Sequence, residues 1–112
     1  SYDRAFSKNS KLALYQPGQR VKLNHGYYPL VIKSQALNAR QLVKKLAERD
    51  VYARAYFDPT LDEMPAFAKY MQGDPLKNLE SLKNNVICLP THEDYVDGVD
   101  QIISIVSEFI RL

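Results

Sequence analysis

Arg54 and Tyr56 are the first candidates for chemistry in this sequence. Residues 51–57 alternate between apolar and polar side chains, a pattern that predicts a strand with Arg54 and Tyr56 on one face. Asp58-Pro59 ends the strand, so both side chains lie just before a loop. A guanidinium group and a phenol in this position suit an anionic or polyhydroxyl ligand. A contact with another domain explains the same pair equally well.

His92 is the second candidate. It follows an apolar run at residues 86–89 and precedes Glu93 and Asp94. An imidazole in this loop could serve as an acid or a base, or face a ligand, although adjacent residues rarely point at each other. The alternative role is capping or packing at the start of the helix that follows.

The sequence lacks the patterns of most cofactor and metal sites. It has only four glycines and contains neither a dinucleotide-binding nor a P-loop motif. Its two histidines and Cys88 do not have the spacing of a zinc site, so we expect no metal. Cys88 lies between Ile87 and Leu89 and is interpreted as a small buried hydrophobe. A single cysteine excludes a disulfide within the chain.

The elements that must position these residues alternate between strands and helices. Strands are predicted over residues 26–33, 51–57 and 86–89, and helices over 39–49, 65–71, 76–82 and 94–111. Asn38, with Gln41 three residues later, predicts a capping box at the first long helix. Phe57 is expected in the core unless the strand kinks at Asp58. The fold class is therefore α/β (α+β), with a small three-stranded sheet covered by helices.

Residues 1–25 differ from the rest of the chain. They are polar and weakly periodic, with a turn signal at Pro17-Gly18, and their apolar side chains are too few for an independent core. We therefore expect a lead-in from a preceding domain, followed by one compact unit over residues 26–112. The first residue is not Met, which suggests a chain cut from a longer protein.

The composition, 46% hydrophobic and 25% charged, is typical of a soluble globular protein. No apolar run approaches the roughly 20 residues that span a bilayer, so we expect a cytoplasmic protein without a membrane partner. Residues 1–54 carry eleven basic and three acidic side chains, and residues 55–112 carry four and ten. This asymmetry could steer an anionic ligand or complement another domain. Basic runs with interleaved aromatic residues are absent, so no nucleic-acid partner is expected.

Two ordered motifs resemble the carboxy-terminal part of the DegT/DnrJ/EryC1/StrS family of pyridoxal-phosphate sugar aminotransferases. Residues 53–59 are similar to the family pattern A-R-R-Y-F-Y-P, with departures at Ala55 and Asp58, and Met64-Pro65-Ala66-Phe67 follows. Residues 88–92 are similar to a strand that ends in L-P-x-H before a helix with an acidic start. Order and spacing agree over roughly residues 26–111.

The resemblance implies the small C-terminal domain of a fold-type I aminotransferase. The parent protein would transfer an amino group from glutamate to a keto-sugar on a nucleoside diphosphate, in lipopolysaccharide or other surface-polysaccharide biosynthesis. It would bind pyridoxal phosphate on a lysine of a large domain that precedes this region, and it would form a homodimer. The lysines at Ser7 to Lys11 lack the flanking sequence of such a site. We therefore assign no catalytic or cofactor-binding residue here and expect the fragment alone to be inactive.

The resemblance also implies that Arg54, Tyr56 and His92 bind the substrate. The premise is that two neighbouring strands end side by side and that their ends jointly form one wall of a pocket. The rival hypothesis is a stand-alone α/β module that senses a ligand or binds a protein.

Overall fold

The computed structural model describes residues 2–70, 73 and 77–111, and in this part of the chain five α-helices accompany a four-stranded sheet. The strands are β1 (Leu12–Leu14), β2 (Tyr28–Ile32), β3 (Arg54–Ala55) and β4 (Val86–Leu89). The helices are α1 (Tyr2–Phe6), α2 (Ala39–Ala47), α3 (Pro65–Ala68), α4 (Lys77–Leu82) and α5 (Val99–Arg111). Two short 3₁₀ helices cover Leu61–Glu63 and Glu93–Tyr95.

The sheet is antiparallel throughout, with the strand order β1-β2-β4-β3. In the register, Leu30 of β2 lies opposite Ile87 of β4, and Arg54 of β3 lies opposite Cys88. Successive side chains of a strand point to opposite faces, so one face of the sheet carries Leu30 and Ile87 and the other carries Cys88 and Arg54. We call these the inner face and the outer face.

The inner face forms the core with helices α1, α2 and α5. The fully buried side chains share this layer: Phe6, Leu30, Ile32, Leu42, Leu46, Ile87, Val106 and Ile110. The predicted helix-covered α/β layer is therefore confirmed. Helix α5 packs against this core through Ile102, Ile105, Val106 and Ile110, which share one side of the helix.

The prediction of three strands is wrong, because β1 adds a fourth at the edge beside β2. Leu12 of β1 is buried, as are Tyr2 and Phe6 of α1. Residues 2–14, which we placed in the lead-in, therefore contribute to the core. Their apolar side chains complete a core formed mainly by other segments, and a strand of three residues carries little periodicity of its own.

Helix α2 begins as the sequence predicts. The Asn38 side chain accepts a hydrogen bond from the Gln41 backbone N–H at 2.9 Å, and the Gln41 side chain accepts one from the Asn38 N–H at 3.0 Å. Together these bonds form the capping box. The sequence prediction of this start is confirmed because the signal is entirely local.

Several predicted boundaries were too wide. The strand expected over residues 51–57 is reduced to β3, since the chain turns directly after Ala55. Phe57 therefore does not continue the alternation, and its side chain is 75% exposed, so its predicted place in the core is wrong. The last helix begins at Val99, after the short 3₁₀ helix. Met71 and Leu76, the expected ends of two short helices, lie outside the described residues.

None of the helices in the described part of the chain is both long enough and apolar enough to cross a membrane.

Candidate functional site

A cleft of about 840 Å³ lies over the outer face of the sheet. Pro29, Val86 and Cys88 form its floor, and Leu82 and Lys83 lie on the side of α4. The chain from Tyr56 to Met64 lines another part of it. This size and a mainly apolar lining are usual for a site that binds a small molecule. We call it the outer-face cleft.

Three aromatic side chains stand at one side of the outer-face cleft. The rings of Tyr27 and Tyr56 meet edge to face with centroids 5.3 Å apart, and Tyr56 and Phe57 do so at 5.0 Å. Tyr27 is 66% exposed, so this cluster is accessible to solvent. The turn after β3 places Phe57 here, since it directs the ring away from the core. Exposed aromatic rings of this kind offer both flat apolar surface and phenolic hydroxyls to a ligand.

Arg54 lies beside this aromatic cluster. It is exposed and pairs with Cys88 across β3 and β4. A hydrogen bond with Tyr56 raises the pKa of Tyr27, and the nearby positive charge of Arg54 opposes that increase. Burial raises the pKa of the Cys88 thiol. The structure therefore brings Arg54 and Tyr56, two of the three predicted site residues, close to the same aromatic cluster, and of the two only Tyr56 lines the outer-face cleft.

His92 lies in a different place. It lines a smaller pocket of about 200 Å³ together with Tyr2, Pro90 and Tyr95. Its Nδ1 accepts a hydrogen bond from the Asp94 N–H at 3.4 Å and so caps the 3₁₀ helix. Its side chain is 67% exposed. His92 thus caps the short 3₁₀ helix and not the long helix for which capping was considered, and a role in ligand binding stays a prediction.

The premise that two strand ends meet in one pocket is wrong. Because β3 and β4 are antiparallel, the carboxyl end of β3 lies beside the amino end of β4. The hydrogen bond from the Tyr56 N–H to the Val86 carbonyl, 3.2 Å long, marks this junction. His92 follows the other end of β4. Sequence order does not reveal strand direction, so the motif pair could not show that its members are separated.

Sequence reasoning missed a charged cluster at the edge of the outer-face cleft. The Lys83 ammonium lies 3.0 Å from Asp62 and 3.3 Å from Glu63. The pKa of Asp62 is lowered most by a hydrogen bond from the Thr60 side chain and next by one from Lys83. The largest effect on Glu63 is a hydrogen bond from the backbone N–H of Thr60, which lowers the pKa of this carboxyl group. The T-x-x-E spacing from Thr60 to Glu63 is a capping-box signal that could have indicated part of this cluster.

The described residues contain no group of three or more His, Cys, Asp or Glu side chains placed to hold a metal ion.

The model of the DegT/DnrJ/EryC1/StrS aminotransferase family matches residues 1–107. One curated relative is dTDP-4-amino-4,6-dideoxy-D-glucose transaminase from Shigella dysenteriae. It is 28% identical over 93 residues, which cover 81% of this chain and 25% of the relative.

Solved structures show the same fold at low identity. Helicobacter pylori PseC, an aminotransferase involved in the biosynthesis of pseudoaminic acid, superposes with a TM-score of 0.80 at 22% identity. That match covers 98% of this chain and 30% of PseC. The aminotransferase TlmJ from Streptoalloteichus hindustanus gives a TM-score of 0.76 at 22% identity, over 94% of this chain and 28% of TlmJ. This chain thus spans a quarter to a third of the length of the proteins it matches.

Proposed function

Because the chain belongs to the DegT/DnrJ/EryC1/StrS aminotransferase family, we propose that it is the C-terminal small domain of a pyridoxal-phosphate-dependent sugar aminotransferase. The parent protein transfers an amino group from glutamate to a keto-sugar carried on a nucleoside diphosphate. The family match over residues 1–107 carries this proposal. This chain covers only a quarter to a third of each protein that it matches. That coverage supports a large preceding domain as the principal partner of this chain.

The cofactor belongs to the large domain in this proposal. Pyridoxal phosphate requires a lysine amine and a site that accepts its phosphate, and it supplies the electron sink for amino transfer. Lys83 lines the outer-face cleft, but its ammonium contacts Asp62, Glu63 and Glu80. Three carboxylates around one ammonium disfavour a phosphate group. Lys83 and its neighbours therefore do not fit the cofactor, which supports our proposal that this chain alone is inactive.

The small domain contributes to substrate binding through Tyr56, which lines the outer-face cleft, and Arg54, which lies beside the aromatic cluster. The guanidinium group of Arg54 is exposed and suits the diphosphate, and the Tyr56 ring and hydroxyl suit the sugar or the base. His92 would bind substrate only through a surface separate from the cleft. The complete protein is a cytoplasmic homodimer that acts in surface-polysaccharide or lipopolysaccharide biosynthesis.

The reading frame upstream of Ser1 provides the first test. We expect it to continue through a large α/β domain, about 250 residues long by the usual size of such a unit. The encoded protein should bind pyridoxal phosphate and aminate a nucleotide keto-sugar with glutamate as donor. A start codon directly before Ser1 would instead support the stand-alone module. Absorbance of bound pyridoxal phosphate in the 112-residue chain would contradict the placement of the cofactor.

Substitutions in the parent protein test the substrate contacts. Arg54→Ala should raise KM for the nucleotide sugar about tenfold to a hundredfold, because a charged hydrogen bond to the substrate is lost. Tyr56→Ala should also raise KM. Tyr52→Ala is a matched control, since Tyr52 is 66% exposed and does not line the outer-face cleft. Equal KM values for the Tyr52 and Tyr56 variants would refute the assignment of Tyr56.

A further inference from the structure

Residues 56–64, which we call the flap, line the outer-face cleft between β3 and α3. The flap carries apolar side chains that bury little surface: Phe57 is 75% exposed and Leu61 is 61% exposed. Apolar burial is the main stabilising contribution in a folded chain, so it holds this segment only weakly. Other interactions must therefore fix the position of the flap.

The first of these interactions joins the flap to Lys83, the residue that follows α4. The Lys83 ammonium lies 3.0 Å from the Asp62 carboxylate and 3.3 Å from that of Glu63, and its side chain is only 18% exposed. Thr60 is buried, and its backbone N–H donates to Glu63 at 3.1 Å. Its hydroxyl donates to Asp62. We call this cluster the lysine latch.

A second interaction joins the flap to helix α2. The guanidinium group of Arg40 donates hydrogen bonds to both carboxylate oxygens of Asp58. A paired geometry of this kind fixes orientation as well as distance. The Arg40 side chain is 60% exposed, so salt weakens this contact more readily than it weakens the lysine latch. Ionic contacts thus attach the flap at two points. Asp58, near the start of the flap, is bound to α2, and Asp62 and Glu63, near the end of the flap, are bound to the residue that follows α4.

We propose that the flap is a gate held by these two ionic contacts, and that it sets the width of the outer-face cleft and access to Cys88 on the cleft floor. The lysine latch keeps the flap close to α4 on the other side of the cleft. When the latch is released, the flap moves away from α4, and the cleft opens while the core on the inner face stays intact. This inference concerns the 112-residue chain itself and does not depend on the proposed enzymatic activity.

The single cysteine provides a direct measurement of cleft width. Cys88 can be labelled with two uncharged maleimides, one small and one bulky. A change in thiol ionisation alters both rates equally, whereas a wider cleft accelerates the bulky reagent selectively. We expect Lys83→Met to increase the bulky-to-small rate ratio about fivefold. Asp62→Asn should also increase the bulky-to-small rate ratio. Lys83→Arg, which keeps the positive charge, should have the same ratio as the unmodified chain.

Lys77→Met is the matched control, because Lys77 is an exposed residue of α4 and undergoes the same substitution. Its rate ratio should equal that of the unmodified chain. Amide exchange gives a second readout: Lys83→Met should accelerate exchange in residues 56–64 and leave α5 unchanged. An unchanged ratio in the Lys83→Met and Asp62→Asn variants would overturn the proposal, as would equal acceleration of exchange in the flap and in α5.

If the Lys83→Met protein does not fold, salt replaces the substitution. Raising NaCl to about 1 M shortens the screening distance to about 3 Å and weakens both contacts in the unmodified chain. The rate ratio for Cys88 should then rise while exchange in α5 stays constant. A ratio that changes neither with salt nor in the Asp62→Asn variant would refute the gate.

Discussion

The substitution Phe6→Ala measures whether the first residues of the chain belong to the core. Phe6 is 1% exposed, and its ring stacks on Tyr2 with centroids 6.0 Å apart. Truncation of a buried phenylalanine removes its transfer free energy and leaves a cavity, which costs about 3–5 kcal/mol. A domain of this size is stable by about 5–15 kcal/mol. The substitution should therefore remove a large fraction of the free energy of unfolding.

Urea unfolding followed by far-UV circular dichroism is the appropriate assay. We expect a much lower midpoint with a similar slope, because the surface exposed on unfolding hardly changes. Phe57→Ala is the control, since its ring is 75% exposed and its loss should cost about 0.5 kcal/mol or less. If residues 1–25 were only a lead-in, the two variants would unfold at the same urea concentration. That result would refute the assignment of Phe6 to the core.

Two further predictions concern the buried phenol and the helix cap. Burial raises the pKa of Tyr2 to about 12. The folded state therefore favours the neutral phenol. Its contribution to the free energy of unfolding is complete below pH 10 and is lost as the pH rises from 10 to 12. A shift of this size amounts to about 2–3 kcal/mol. Burial also raises the pKa of Tyr28, which therefore contributes to the same alkaline loss. Unfolding measured across this range should show a smaller loss for Tyr2→Phe than for the unmodified chain; an equal loss in both proteins would exclude Tyr2 as a source. Asn38→Ala should lower the free energy of unfolding by about 1 kcal/mol through loss of the cap on α2, and Asn38→Ser should recover most of it. Equal stabilities of the Ala and Ser variants would contradict the capping role.

The sequence predicted only part of the arrangement around the outer-face cleft. The aromatic cluster was only partly foreseen: the alternation up to Tyr56 predicted its face, but the turn that exposes Phe57 was missed. Arg54 and Tyr56 lie together because they are two residues apart, with Arg54 in β3 and Tyr56 at the start of the turn that follows. His92 was grouped with them only because its motif comes next in sequence, and antiparallel pairing places it elsewhere.

The sequence by itself determined the elements whose signals are local. The capping box of α2 and the buried stripe of α5 depend on residues three or four positions apart, and the family motifs depend on order along the chain. Only the tertiary structure decided the strand β1, the direction in which strand ends point, and the contact between Lys83 and the flap. These features join residues that are distant in sequence, and their energy comes from pairing and burial that no short stretch of sequence contains.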